Sequence, residues 1–169
     1  MLEERTDLKG LLEVEYPVME HFYTIQGEGA HTGRAAYFIR TGGCDVQCWW
    51  CDVKDSWDES KHPKMKVGTL VEAVKESGAK MAVIPGGEPL LHDLDALTLA
   101  LKQEGIATHI ETSGSSPVSG HFDWITLSPK RFKKPLDEIF PYVDELKVVV
   151  HEADDLLFAD VVAAQAPQA

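Results

Sequence analysis

Hydrophobic and polar residues follow one another along the chain in a pattern that predicts strands separated by helices. Short runs of apolar, β-branched and aromatic residues, bounded by glycine, proline or polar residues, predict strands at 35–39, 81–84, 108–110, 124–127 and 146–150. Between them, apolar residues recur at helical spacing over 69–76, 94–104 and 153 to about 164. Alternating helices and strands favour an α/β fold built on a parallel sheet.

The size of the chain is that of one ordinary folded domain. It has 169 residues, of which 44% are hydrophobic, and no internal repeat or long linker divides it. We therefore expect a single domain over 1–169. Residues 1–19 are expected to form an N-terminal extension and 165–169 a frayed tail.

The charge balance restricts the classes of partner. The 16 Lys and Arg residues against 28 Asp and Glu residues give a net charge of −12, which argues against binding of nucleic acid, because phosphates are repelled. No apolar stretch approaches the roughly 20 residues of a membrane helix, and the first residues do not resemble a signal peptide. We expect a cytoplasmic protein that does not enter a membrane.

The cysteines suggest a metal centre. All three of them, Cys44, Cys48 and Cys51, lie in one C-x3-C-x2-C segment that follows the strand at 35–39 and a Gly-Gly pair. Three thiolates from one loop can hold three irons of a [4Fe–4S] cluster and leave the fourth open to a substrate or cofactor. The alternatives are a zinc site completed by His31 or His62, and three buried thiols with no metal.

Polar residues follow three of the other predicted strands. In a parallel α/β fold, ligands bind beyond the carboxyl ends of the strands, so these residues are expected to face one cavity. The segments concerned are 86–89 (Gly-Gly-Glu-Pro), 111–114 (Glu-Thr-Ser-Gly) and 128–130 (Ser-Pro-Lys). Lys130 begins a basic island with Arg131, Lys133 and Lys134, which is either an anion site or a solvated loop.

The cysteine segment, with the aromatic Trp50 before its last cysteine, resembles the signature of radical S-adenosylmethionine (SAM) enzymes, and Gly86-Gly87-Glu88-Pro89 looks like their GGEP motif. The resemblance implies a partial parallel β/α barrel of five to six strands, a [4Fe–4S] cluster held by the cysteines, and SAM cleaved to a 5′-deoxyadenosyl radical. It implies an external electron donor such as flavodoxin or ferredoxin. The residues that it implies around SAM are Trp50, Asp52, Gly86, Gly87, Glu88, Ser113, Ser128, Pro129 and Lys130.

The segment upstream narrows the resemblance. Residues 22–29 (Phe-Tyr-Thr-Ile-Gln-Gly-Glu-Gly), Gly33 and 38–40 (Phe-Ile-Arg) resemble the 7-carboxy-7-deazaguanine synthases of queuosine and deazapurine biosynthesis. These lyases contract the ring of 6-carboxy-5,6,7,8-tetrahydropterin to 7-carboxy-7-deazaguanine with loss of ammonia. The resemblance implies pterin contacts from Ile25, Gln26, Gly27 and Glu28, and a pair between Arg40 and the substrate carboxylate. The alternative for Gln26 and Glu28 is a polar turn around Gly27 and Gly29.

Two positions depart from that family. It implies a threonine ligand to Mg²⁺ where this chain has Val53, which has no side-chain oxygen, so Mg²⁺ would need Asp52 or Asp55 acting through water. Pro85 stands where a substrate-contacting threonine is common. A partial barrel of five strands would also leave a parallel edge exposed, and a homodimer could cover it. The alternative functions are a glycyl-radical activating enzyme and a non-catalytic iron–sulfur or SAM-binding module.

Overall fold

The computed structural model describes residues 8–169 of the chain. Its helices are α1 (Leu8–Glu13), α2 (Val67–Ser77), α3 (Asp95–Gln103) and α4 (Ala153–Gln165). Its strands are β1 (Glu15–Ile25), β2 (Ala35–Thr41), β3 (Lys64–Lys66), β4 (Met81–Ile84), β5 (Ala107–Thr112), β6 (Trp124–Leu127) and β7 (Glu145–Leu146). No helix in this part of the chain is long and apolar enough to cross a membrane.

The seven strands form one open sheet in the order β3-β1-β2-β4-β5-β6-β7. The five strands from β2 onward pair in parallel, whereas β1 runs antiparallel to both β2 and β3. The expected incomplete parallel barrel is therefore confirmed, although the antiparallel strands raise the number of strands above the expected five to six. The parallel strands end at one edge, where their following loops meet.

The two antiparallel strands are the part of the sheet that the sequence pattern did not predict. β1 begins inside the segment expected to be an N-terminal extension, whose residues 1–7 lie outside the described part of the chain. Its outward side chains Tyr23 and Ile25 are exposed, and its inward ones turn into a polar cavity. Apolar and polar residues therefore do not alternate along its second half, which is the signal that would have predicted a strand.

The chain ends differ from expectation in packing as well. Ala166, in the segment expected to fray, is only 2% exposed, and the Gln168 side chain donates a hydrogen bond to the Pro141 carbonyl oxygen.

The last predicted strand, 146–150, is shorter than its apolar run suggests, because only Glu145–Leu146 pairs with β6. The residues after it carry the chain towards α4.

The hydrophobic core lies between the sheet and the helices α1, α2 and α3. Buried leucines and valines of the helices, such as Leu70, Val74, Leu97 and Leu101, pack against Ile84, Ile110 and Leu127 of the strands. Each such side chain stabilises the fold by about 1.5–3 kcal/mol on burial. The opposite face of the sheet, called the inner face below, carries a small apolar cluster around Val83. The rest of this inner face can therefore hold polar groups.

Helix α2 stops where the sequence predicts. Gly78 follows it in the left-handed conformation, with φ of +75°, and its N–H bonds to the Lys75 carbonyl oxygen. Gly105, two residues after α3, also has a positive φ, of +69°. These two glycines return the chain to the start of the next parallel strand.

Candidate active site at the carboxyl ends of the strands

A cavity of about 940 Å³ opens at the carboxyl edge of the sheet. Its walls come from the ends of the strands and from the cysteine segment, as expected for a parallel α/β fold. It brings together most of the residues that the sequence singled out: Gln26, Gly27, Glu28, Arg40, Cys44, Cys48, Trp50, Cys51, Asp52, Gly86, Gly87, Glu88, Ser113, Ser128 and Lys130.

Two of the expected site residues lie elsewhere. Ile25 is 62% exposed and does not line the cavity, because neighbouring strand residues point to opposite faces and Thr24 and Gln26 take the inner positions. Pro129 lines an adjoining groove of about 430 Å³ instead. Trp50 and Lys130 border both spaces, so the groove is continuous with the cavity through these two side chains.

The cysteine segment is fixed at its start by backbone hydrogen bonds from two sides. The N–H groups of Gly43 and Cys44 donate to the carbonyl oxygens of Ser56 and Trp57, at 2.7 and 3.1 Å. On the other side, the Glu88 N–H donates to the Gly43 carbonyl oxygen at 2.8 Å. These bonds hold the cysteine segment against the Gly-Gly turn after β4.

Gly87 allows that close approach. A Cβ atom at this position would lie 2.1 Å from the Gly43 carbonyl oxygen and 2.8 Å from Cys44 Cβ. Both partners belong to a segment that is itself hydrogen-bonded, so neither moves freely. The first Cys and the Gly-Gly turn are therefore in contact through backbone, with no room for any side chain between them.

The three cysteine thiols line the same cavity. All three are free and half-buried, and burial raises the pKa of Cys48 while nearby Lys130 lowers it. Among residues 8–169 no three Cys, His, Asp or Glu side chains have the spacing to hold one metal ion. In a cubane cluster each cysteine binds a different iron, so the three sulfurs do not converge on one point.

The histidines that a zinc site would need are not at the cavity. His62 Nε2 is hydrogen-bonded with the Asp55 carbonyl oxygen at 2.8 Å. His31 packs against Trp124, with 4.6 Å between ring centroids, on the inner face of the sheet. The structure therefore gives no support to the zinc alternative.

A buried polar cluster surrounds His31. His109, on β5, is 3% exposed, and its Nε2 is hydrogen-bonded with Thr126 Oγ1 at 2.8 Å. Three buried nitrogens, His31 Nδ1, His109 Nδ1 and Trp124 Nε1, have no hydrogen-bond partner among the described residues. Burial lowers the pKa of His109 to about 4, so its ring is neutral at pH 7.

Glu88 connects two loops at the cavity wall. Its side chain is 1% exposed and accepts hydrogen bonds from Leu90 N–H at 3.1 Å, from Ser113 N–H at 2.8 Å and from the hydroxyls of Thr112 and Ser113. Because each carboxylate oxygen already has two donors, Glu88 is occupied by the protein itself. It fixes the turn after β4 to the loop after β5 and so shapes the cavity through its neighbours.

Lys130 is the member of the basic island that lines the cavity. Its Nζ donates to the Ser128 carbonyl oxygen at 2.5 Å and is 2.8 Å from Ser128 Oγ. Burial lowers the pKa of Lys130, an effect that the nearby cysteines and Glu88 oppose. A buried ammonium with neutral partners is an attractive site for a carboxylate ligand.

The other cations of the island do not line the main cavity, although Arg131 lines the adjoining groove. Arg131 pairs with Glu152 at 2.7 Å, and Lys133 pairs with Asp45 of the cysteine segment. Lys134 is exposed. The expected anion site is thus reduced to one residue, because the others are engaged with acidic side chains or solvent.

The part of the cavity wall that does not belong to the cysteine segment includes residues from β1, β2 and β5 and from the chain just after β7. Gln26 is 3% exposed, and its amide donates to Glu111 at 3.0 Å and accepts from the Glu28 N–H at 3.1 Å. Lys147 pairs with Glu28 at 2.5 Å and with Glu111 at 3.7 Å. The sequence pattern did not single out Lys147, because the residue lies within the apolar run 146–150. A single charged residue in such a run is the signal that could have indicated it.

Arg40 extends from β2 into the same cavity. Its Nε donates to Glu20 at 2.7 Å and its Nη1 to the Gly86 carbonyl oxygen at 3.4 Å. The guanidinium side chain is 20% exposed, so part of it is accessible from the cavity. A guanidinium can grip a carboxylate with two parallel hydrogen bonds.

The residues present do not fit a magnesium site of the implied kind. Val53 lines the cavity at the position of the expected threonine, and it offers no oxygen to a hard cation. Asp52 beside it is exposed and is the neighbouring carboxylate. The side chain at position 53 therefore cannot serve as the implied Mg²⁺ ligand.

Comparison with known proteins agrees with this geometry. Residues 38–134 match the family model of the Radical SAM superfamily, so the chain is a radical SAM enzyme. It is 53% identical over 149 residues to the 7-carboxy-7-deazaguanine synthase of Flavobacterium psychrophilum, an alignment that covers 88% of this chain and 70% of that protein. It is 48% identical over 153 residues to the 7-carboxy-7-deazaguanine synthase of Synechocystis sp., covering 90% and 74% respectively. The chain belongs to the family of 7-carboxy-7-deazaguanine synthases.

A solved structure agrees with that assignment. The crystal structure of QueE from Escherichia coli superimposes with a TM-score of 0.84 at 32% identity, covering 95% of this chain and 82% of that chain. Membership of the radical SAM superfamily implies a [4Fe–4S] cluster and SAM as cofactors, and the three free thiols around one cavity fit that requirement.

Proposed function

We propose that this chain converts 6-carboxy-5,6,7,8-tetrahydropterin to 7-carboxy-7-deazaguanine with loss of ammonia, as a radical SAM lyase. The observation that carries the proposal is one cavity that joins two sets of residues. Cys44, Cys48 and Cys51 lie on one part of its wall, and Gln26, Glu28 and Arg40 on another. The named relatives and the fold support the same reaction.

The cysteine side of the cavity is the cofactor side in this proposal. The cluster and SAM, when bound there, supply the 5′-deoxyadenosyl radical. The three thiolates hold the cluster. The turn at Gly86 and Gly87, which contacts Cys44, offers exposed backbone groups to the cofactor. Around SAM we place the remaining residues with that predicted role: Trp50, Asp52, Glu88, Ser113, Ser128, Pro129 and Lys130.

The pterin side is defined by hydrogen-bonding groups of opposite kinds. Arg40 supplies donors for the substrate carboxylate: its Nε donates to Glu20 and its Nη1 makes a long contact of 3.4 Å with the Gly86 carbonyl oxygen, so its Nη2 stays available. Gln26, Gly27 and Glu28 supply acceptors and backbone groups for the polar edge of the pterin ring. Held at both ends, the substrate would present its carboxylate-bearing carbon in a fixed position, which is the main requirement for a reaction with a short-lived radical.

Further properties of the enzyme belong to the proposal. We place it in the cytoplasm because free cysteines that serve as cluster ligands require a reducing compartment. We propose flavodoxin or ferredoxin as the electron donor. We propose a homodimer, which would cover the open parallel edge at β7.

Two variants separate the cofactor side from the substrate side. The protein is reconstituted anaerobically with iron and sulfide, then given dithionite, SAM and the tetrahydropterin, and the products are identified by mass spectrometry. Cys48→Ala should assemble no [4Fe–4S] cluster and form neither 5′-deoxyadenosine nor deazaguanine. Arg40→Ala should retain both the cluster and the uncoupled cleavage of SAM. It should lose turnover of the pterin.

The outcomes distinguish the rival functions. Cluster and 5′-deoxyadenosine without deazaguanine in the wild-type protein would contradict the substrate and leave a radical enzyme acting on another molecule, such as a partner protein. Cofactor binding without cleavage would indicate a non-catalytic binding module. Normal pterin turnover by Arg40→Ala would exclude Arg40 as the residue that holds the substrate carboxylate.

A further inference from the structure

Four residues on the pterin side of the cavity form a closed polar ring, in which three links join side chains and one uses the Glu28 backbone N–H. Gln26 donates to Glu111 at 3.0 Å, and Glu111 faces Lys147 at 3.7 Å. Lys147 donates to Glu28 at 2.5 Å, and the Glu28 N–H returns to Gln26 at 3.1 Å. All four residues line the cavity, so the ring forms a continuous polar part of its wall.

Lys147 joins parts of the fold that no backbone pairing connects. It follows β7 at one end of the sheet order, and its N–H donates to the Leu127 carbonyl oxygen at 2.9 Å. Glu28 follows β1, near the other end of that order. A second contact, from Ala30 N–H to Glu145 at 2.9 Å, runs beside the lysine and holds the same loop. The open sheet is thus closed by side chains at this point, and Lys147 is the cation in that closure.

The ring leaves acceptors directed to its surroundings. One Glu28 oxygen accepts from Lys147 and one Glu111 oxygen accepts from Gln26. Glu28 Oε1 has no hydrogen-bond donor within 3.5 Å among residues 8–169, and Glu111 Oε2 faces Lys147 Nζ at 3.7 Å without accepting a hydrogen bond from it. Lys147 also keeps a positive charge here, since its hydrogen bond to Glu28 and the charge of Glu111 more than offset the effect of burial and raise its pKa.

Two carboxylates without a cation between them would repel each other and separate. Lys147 is 36% exposed at its side chain and Glu111 18%, so their attraction is only partly screened by water. The lysine therefore fixes the spacing of the two free acceptors. A flat heterocycle with several adjacent N–H donors, such as the 2-amino-4-oxopyrimidine ring of a pterin, matches a pair of acceptors held at fixed spacing.

We infer that Lys147 is a positioning residue, which holds Glu28 and Glu111 so that their free oxygens receive the N–H donors of the substrate's aminopyrimidinone ring. The inference rests on the proposed pterin substrate. It gives the two ends of the substrate separate partners: Arg40 for the carboxylate, and the ring set by Lys147 for the heterocycle. Lys147 itself acts through the two carboxylates.

The test measures ligand binding apart from radical chemistry. Reconstituted wild-type protein, Lys147→Met and the matched control Lys75→Met are titrated with 6-carboxypterin, an unreactive oxidised analogue, and the bound fraction is followed by its fluorescence. Lys75 pairs with Glu104 at 2.7 Å far along α2 from the cavity. We expect the dissociation constant of Lys147→Met to rise about 10- to 100-fold, since misplaced charged hydrogen bonds are lost, and that of Lys75→Met to stay unchanged.

A second ligand separates ring recognition from carboxylate recognition. Pterin itself lacks the carboxylate, so Lys147→Met should weaken its binding by the same factor as for 6-carboxypterin. A loss confined to 6-carboxypterin would mean that Lys147 contacts the carboxylate and would overturn the inference. With the true substrate, we expect KM to rise by a similar factor while 5′-deoxyadenosine formed per product increases.

The remaining outcomes also decide the matter. Wild-type-like affinity in Lys147→Met would overturn the role of Lys147 while leaving the proposed function intact. Failure of wild-type protein to bind or convert the pterin would instead refute the proposed function. Where Lys147→Met does not fold, Lys147→Gln takes its place; if circular dichroism shows that both are unfolded, Lys147 is a structural residue and the inference is wrong.

Discussion

Replacement of Glu88 by glutamine is the sharpest test of how the cavity is held together. Each oxygen of this buried carboxylate accepts one backbone N–H and one hydroxyl: Leu90 N–H and Thr112 for one oxygen, and the N–H and hydroxyl of Ser113 for the other. The hydroxyls can rotate and accept a hydrogen bond, but the backbone N–H groups cannot. Glutamine replaces one oxygen by an NH₂ group, so either orientation of its amide leaves one backbone N–H facing another donor.

The expected cost follows from this count. A buried donor without an acceptor costs about 1–3 kcal/mol, and the loss of hydrogen bonds to a charged group adds to it, so we expect destabilisation of about 2–3 kcal/mol. For a domain of this size, 1 kcal/mol corresponds to about 2–4 °C in Tm. Glu88→Gln should therefore lower Tm by about 4–12 °C.

The assay is thermal unfolding of reconstituted protein under anaerobic conditions, followed by circular dichroism. Glu104→Gln is the control, because it removes the same charge from an exposed pair with Lys75, which contributes less than about 1 kcal/mol. A Tm for Glu88→Gln within the range of the control would refute the conclusion that Glu88 joins the turn after β4 to the loop after β5.

Two more predictions concern groups inside the sheet and at the cysteine segment. The pKa of His109 is about 4 in the folded state, below its ordinary value near 6.5, so unfolding takes up a proton between these values and stability falls as pH falls. Tm should drop between pH 7.5 and 5 by an amount equivalent to about 2 kcal/mol, and His109→Gln should flatten this dependence; an unchanged slope would contradict it. Gly87→Ala should reduce the iron bound per chain and the cluster absorbance near 400 nm, because the added Cβ would collide with the Gly43 carbonyl oxygen. Full cluster content in this variant would show that the contact is dispensable.

The fold was predictable from sequence where one face of an element is apolar. The strands β4 and β6 match their predicted bounds because their residues are bounded by turn residues and largely buried, and α2 ends at the glycine that the pattern marks. β1 was not predicted, because its inner face lines a polar cavity and its outer face is exposed at one end. A functional wall thus hides a strand from hydrophobic patterning.

The same contrast holds within the site. The cysteines and the Gly-Gly turn are close in sequence to strand ends, and the rule that parallel strands present their carboxyl ends together is enough to place them in one cavity. Glu88 was expected at the cofactor, and its saturation by four donors could not be predicted, because three of the donors come from Thr112 and Ser113, 24 and 25 residues later. Lys147 depends likewise on contacts across 119 and 36 residues of chain, which no local pattern records.

The cavity's cations explain how an acidic protein can bind ligands that carry carboxylates. Arg40, Lys130 and Lys147 line the cavity of a chain with a net charge of −12, and they differ in their partners. Arg40 and Lys147 have carboxylates beside them, whereas Lys130 is bonded to the carbonyl and hydroxyl of Ser128 and has no acidic partner within 4 Å in residues 8–169. Burial lowers the pKa of Lys130, so an arriving carboxylate gains a charged hydrogen bond and also restores the stability of the ammonium form. We therefore expect the strongest attraction for a carboxylate at Lys130, on the proposed cofactor side, while the paired cations Arg40 and Lys147 fit the proposed role of orienting the pterin.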